Sequence, residues 1–196
     1  FWSGSGEILK ASNRLVGISQ AGVSTFQARL LTIEDVGDDK VLHQAVIFNL
    51  ALLWVEEYDG FVLGGLPDWV WEGFAHYVEY STFGSVENNC NDEALGTEGL
   101  RGKNLENRVK QMVKKGNYPK ITEFGELNVS KLTPEARLEA WSIIDWFVKE
   151  HKPKKFELFI KLLKRTKSQP QAFRDSVGLK WDEVSAEWAK WALSAY

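Results

Sequence analysis

The chain is short of most residues that carry chemistry. Its 196 residues include one cysteine, one methionine, three histidines and five prolines. A single thiol, Cys90, cannot close an internal disulfide, so no disulfide framework holds this fold. In the polar run SVENNCNDEALG it reads as a free surface thiol, not an activated nucleophile. There is no G-x-S-x-G turn and no Gly-rich phosphate loop of P-loop or Rossmann type, which removes the usual nucleophilic and nucleotide-dependent chemistries. Long apolar runs are missing as well. AVIFNLALLWV is the longest, interrupted by Asn49 and well below the ~20 residues a bilayer-spanning helix needs. The opening FWSGSGEILKAS lacks the basic, apolar and small-residue succession of a signal peptide. It reads as text from within a domain, so the chain is expected to be a fragment lacking an N-terminal part.

What is present is an ordinary globular composition, 44% apolar and 26% charged with nine Trp, in a length that one core can serve. A single domain over 1–196 is expected. Residues 1–37 hold two β-like runs, GEILKAS and STFQARLLTI, the second alternating in side-chain character, and they predict a small sheet remnant. Asp38 and Asp39 then stand where an N-cap and a negative first turn belong. From Val41 to Val55 nearly every residue is apolar, which predicts a helix running through the interior and a buried His43. Pro67 and Asp68 open the next helix, expected to reach about Ser81, so that 38–82 is a pair of helices. The acidic, Gly- and Asn-rich stretch over 83–100 is a loop.

From 101 to 196 the pattern is helical. Leu105, Val109, Met112 and Val113 recur at helical spacing before Gly116. Thr133 and Pro134 predict the start of a helix ending near His151, with an apolar arc of Leu138, Trp141, Ile144 and Val148. Phe156, Phe159, Ile160 and Leu163 mark a helix over Lys154 to Lys167. Val184, Trp188, Trp191 and Ala195 mark a last one from Asp182 onward. The fold class expected is α+β, mainly α-helical, with the sheet remnant at the front and a helical bundle behind.

One stretch is more specific. WVWEGFAHYVEY resembles the helix of gluzincin zinc metallopeptidases that carries the third zinc ligand in an "NEGFAxYxE" pattern, and that resemblance puts Glu72 at the ligand position. The order of parts from 38 to 196 is similar to the peptidase-MA-like bacterial families. KNLENRVKQMVKKGNYPKITEFGEL, EAWSIIDWFV and QAFRDSVGLKWDEVSAEWAKWAL echo their successive segments. The resemblance implies a zincin-like (gluzincin) catalytic-domain fold and gives a lean toward an exported, periplasmic protein. It also implies an HExxH motif, with His43 as first ligand, Gln44 where the catalytic Glu belongs, and Ile47 where the second His belongs.

Both changes are chemically damaging. HExxH works because positions i and i+4 share a helix face and clamp one Zn²⁺, while the Glu takes a proton from the metal-bound water. Ile47 offers no lone pair and Gln44 cannot hold a proton near neutral pH. The expectation is a peptidase-like domain without catalysis, no cofactor, and a structural or peptide-binding role in the cleft between the helices bearing His43 and Glu72. The alternative is an active metal hydrolase whose zinc is held by His43, Glu72 and His76, with a base from elsewhere, Glu79 or a residue outside the fragment. Without a metal, a buried Glu72 needs a cation, a donor or a proton, and His43 is a candidate partner.

Charge supplies one further signal. Residues 149–167 carry eight Lys or Arg against two Glu in a chain of net charge −3. Lys161, Lys164 and Arg165 fall opposite the apolar stripe there, as a surface for an acidic partner or as a solvated face. Trp146 falls among Glu139, Ser142, Lys149 and Glu150 on a helical wheel, which makes it either an exposed contact for a partner or a residue packed under the acidic loop. No nucleic-acid motif accompanies the charge, so no nucleic-acid partner is expected.

Overall fold

A computed structural model describes residues 22–25, 30–33, 38–58, 66–88 and 100–196. The chain is mainly helical. Two four-residue strands, β1 (Gly22–Thr25) and β2 (Leu30–Ile33), pair antiparallel with Gly22 opposite Ile33. The predicted run STFQARLLTI is thus divided between two strands, and GEILKAS lies outside the described residues. From 38 onward the described residues form eight α-helices and no strand.

Helix α1 (Asp39–Glu57) begins where the Asp38 side chain accepts from the backbone N–H of Lys40 and Val41, at 2.9 and 3.1 Å. It packs on α2 (Asp68–Phe83) through Phe48, Ala51 and Leu52, but it does not run through the interior. Val41, Leu50 and Trp54 are each more than 40% exposed, and His43 is exposed too, contrary to its expected burial. A helix apolar all round does not say which face meets the core. Among the described residues it packs chiefly on α2, with fewer contacts to β1 and β2.

The centre of the molecule is α5 (Pro134–Lys149), started by the Thr133 hydroxyl accepting from Ala136 N–H at 3.2 Å. Every residue from Ala136 to Phe147 is buried. Helix α2 lies against one side of it, with α3 (Leu105–Lys114), α6 (Pro153–Thr166) and α8 (Val184–Ala195) packed on others. The expected exposed face of α5 is therefore covered. Ser142 accepts from the Trp188 indole N–H at 3.0 Å, and Asp145 accepts from the Tyr196 hydroxyl at 2.7 Å. Trp146 is only 3% exposed, its ring 4.8 Å from that of His151. In α8 itself Val184 and Trp188 are buried as expected, whereas Trp191 is half-buried and Ala195 is exposed.

Short elements fill the ends. Helix α4 (Ile121–Phe124) and a 3-10 turn over Val129–Lys131 lead into α5. Helix α7 (Gln169–Val177), unforeseen in the sequence, is capped by Ser168 and packs on α6. Its Phe173 joins Trp69, Phe147 and Phe159 in one aromatic core. In α6, Lys164 is not a surface residue. It is buried, and its ammonium donates to the carbonyls of Glu56 and Tyr58, where the last turn of α1 has no intrahelical partners.

One close approach sets the position of α2 on α5. A Cβ at Gly73 would lie 2.9 Å from the carbonyl carbon and oxygen of Ala140. Alanine in place of glycine gains about 1 kcal/mol of helix propensity. It must also push apart two backbones, and overpacking of that kind costs about 1–3 kcal/mol. Gly73→Ala is therefore expected to be net destabilising, measured as a lower urea midpoint with an unchanged slope.

Candidate functional site

The contact at Gly73 and Ala140 places their helical neighbours face to face. Glu72 precedes Gly73 and is buried; Arg137, one turn before Ala140, is buried too. The Arg137 Nη1 forms an ion pair with Glu72 Oε1. The rest of the guanidinium is also engaged: Nε donates to Leu132 O at 3.2 Å and Nη2 to Val129 O at 2.9 Å. Burial lowers the Arg137 pKa to about 10, which leaves it charged at neutral pH. The cation that a buried Glu72 requires is thus an arginine, and not His43.

Around this pair lies a buried polar cluster. His76, one turn along α2, has Nε2 3.8 Å from Glu72 Oε1 and 3.1 Å from the Asn88 carbonyl. A carbonyl only accepts, so Nε2 carries the proton and donates. Burial lowers the His76 pKa to about 3, and the ring is neutral. Glu79 Oε1 accepts from Glu87 N–H at 3.0 Å and from the Asn88 amide at 2.7 Å, and burial raises its pKa to about 7. Gln44, buried on α1, donates to Ser85 Oγ at 3.2 Å, so this side chain ties α1 to the segment after α2.

The donor set does not fit a zinc ion. Glu72 is paired with a guanidinium and His43 is exposed on α1, which leaves His76, through its buried Nδ1, with an unengaged lone pair. Among the described residues no group of three His, Cys, Asp or Glu side chains is placed to hold a metal. The structure brings Glu72, His76 and Glu79 onto one buried side of α2 and leaves His43 out.

Ile47 has a different environment. With Leu50, Leu53 and Trp54 of α1, and Phe74 and Val78 of α2, it lines an open apolar groove of about 640 Å³. Of the proposed partner surface, Trp146 and Lys164 are buried, Lys161 is half-buried and Arg165 is exposed. Sequence reasoning missed Arg137 and Gly73. The available signal for the first was an arginine set directly between the apolar Ala136 and Leu138 near the helix start. For the second it was the glycine directly after Glu72. No helix of the described residues is long and apolar enough to cross a membrane. No family model, no curated protein and no solved structure matches the chain.

Proposed function

We propose that this chain is a zincin-like, gluzincin-type peptidase domain that does not catalyse hydrolysis and serves as a module holding a peptide or protein segment. The observation that carries this reading is the Glu72–Arg137 pair. The carboxylate at the third-ligand position is neutralised by a guanidinium fixed by two backbone carbonyls. Gln44 at the base position is used in a structural hydrogen bond, and Ile47 at the second-ligand position lines an apolar groove. A fixed arginine is a single positive charge with no open coordination position, so it cannot bind and activate a water as zinc does.

The groove between α1 and α2 supports the binding half of the reading. Its walls are almost wholly apolar, and three of the exposed large hydrophobic side chains among the described residues, Val41, Leu50 and Trp54, belong to α1. An apolar surface of this kind on a soluble domain marks an interaction site. Chain purified in the presence of zinc and then dialysed is expected to retain less than stoichiometric metal and to leave casein intact. Stoichiometric zinc, together with casein cleavage that is lost in Glu72→Gln, would overturn the proposal.

A further inference from the structure

The groove does not end at Trp54. The Trp54 ring lies 5.0 Å from that of Tyr58 and 5.3 Å from that of Phe74. Phe74 in turn stacks on Phe156 of α6 at 5.6 Å. Tyr58 is gripped by α6 from two positions, its hydroxyl donating to Glu157 at 3.2 Å and its ring lying 5.6 Å from Lys161 Nζ. Helix α6 therefore borders the apolar channel at the C-terminal end of α1.

That border is basic. Lys154, Leu158, Lys161 and Arg165 follow one another at spacings of four, three and four, which aligns them along one stripe of α6. Lys154, Leu158 and Arg165 are exposed and Lys161 is half-buried, with Lys152, Lys155 and Lys167 also exposed around the helix ends. Among the described residues the acidic groups nearby are Glu56, whose charge faces Lys164 and Lys167, Glu57, which lines the groove, and Glu157, which accepts from Tyr58. The basic side chains outnumber them. Lys154 and Lys155 in the first turn oppose the helix dipole, whereas Lys164 and Arg165 in the last turn agree with it.

We propose that the groove and the α6 stripe form one composite surface that takes an amphipathic peptide segment, its apolar face in the α1–α2 channel and its carboxylate-bearing flank along α6. This rests on the reading of the cleft as a peptide-holding site and adds the charge of the occupant. Apolar residues at helical spacing fill such a channel, and complementary charge fixes their orientation. A concave channel suits a rod-like segment and is poorly matched to the flat face of a bilayer.

The test uses a fluorescein-labelled leucine-rich helical peptide with flanking glutamates, titrated into the full chain by anisotropy. Versions with lysine or glutamine in place of glutamate, and vesicles of phosphatidylcholine and phosphatidylserine, are run beside it. The glutamate peptide is expected to bind at least about tenfold tighter than the lysine peptide, with the gap shrinking as salt screens the stripe. Leu50→Asp is expected to weaken all binding. The double variant Lys161→Glu/Arg165→Glu, its fold checked by circular dichroism, is expected to reverse the charge preference. Equal binding of all three peptides, unchanged by that double variant, would overturn the charge proposal and leave the cleft reading standing. Binding of no peptide would overturn both. Binding to the vesicles alone would overturn both in favour of an anionic lipid surface.

Discussion

Arg137→Ala is expected to destabilise the fold by about 3–5 kcal/mol, the usual consequence of leaving one member of a buried ion pair without its partner. Glu72 would remain in a site with no cation, and the carbonyls of Val129 and Leu132 would lose their donor. Urea denaturation reads the loss directly. The control is the double variant Arg137→Met/Glu72→Leu. Removing both charges removes the desolvation cost of each, and apolar replacement of a buried pair is commonly neutral or stabilising. The double variant is therefore expected to recover most of the stability, short by about 1 kcal/mol for each carbonyl left unbonded. If the single variant costs less than about 1 kcal/mol, which is the surface-pair range, the pair is not the buried anchor described above.

The second large effect is in the pH dependence, where two buried groups on α2 act in opposite directions. Glu79 has its pKa raised from 4.5 to about 7 by burial. The folded state holds this proton more tightly than the unfolded chain, so the associated stability is fully present below about pH 4.5 and is lost as pH rises toward 7. His76 has its pKa lowered from 6.5 to about 3, again by burial. The unfolded chain takes that proton first, so the associated stability is present above about pH 6.5 and is lost as pH falls toward 3. Between about pH 4.5 and 6.5 the two slopes oppose each other.

Glu79→Gln keeps an acceptor for Glu87 N–H and Asn88 while removing the titration. Relative to the parent chain it is expected to be about 3 kcal/mol more stable at about pH 8 and unchanged near pH 4, exposing the His76 slope between. Chemical denaturation of both proteins at a series of pH values measures the difference. A difference curve that is flat across this range would show that Glu79 titrates as an ordinary carboxylate.

Local features of the fold were legible in the sequence because each depends on a few adjacent residues. Asp38 and Thr133 cap their helices as predicted, because a short polar side chain before an apolar helix has backbone N–H groups within reach wherever the helix later packs. The helices bearing Gln44 and Glu72 were likewise visible, as was the amphipathic stripe of α6. The sequence left Trp146 open and put His43 in the interior for one shared reason. A helical wheel ranks the faces of a helix by composition, but which face meets solvent depends on how many neighbours surround it. Helix α5 is enclosed by α2, α3, α6 and α8, which buries even its polar side, while α1, which among the described residues touches α2, β1 and β2, shows apolar residues to solvent.

The same division runs through the candidate site. The sequence by itself determined that no HExxH motif is present, since none of the three histidines is followed by a glutamate. It also determined that most of the chain is helical, because the periodicity of apolar residues is a local property. Only the tertiary structure decided what balances Glu72. Arg137 lies 65 positions further along the chain, and its contact requires α2 and α5 to cross at Gly73 and Ala140 in one particular register. Long-range pairing of charges is governed by such crossings, where desolvation makes a partner obligatory but leaves open which residue supplies it.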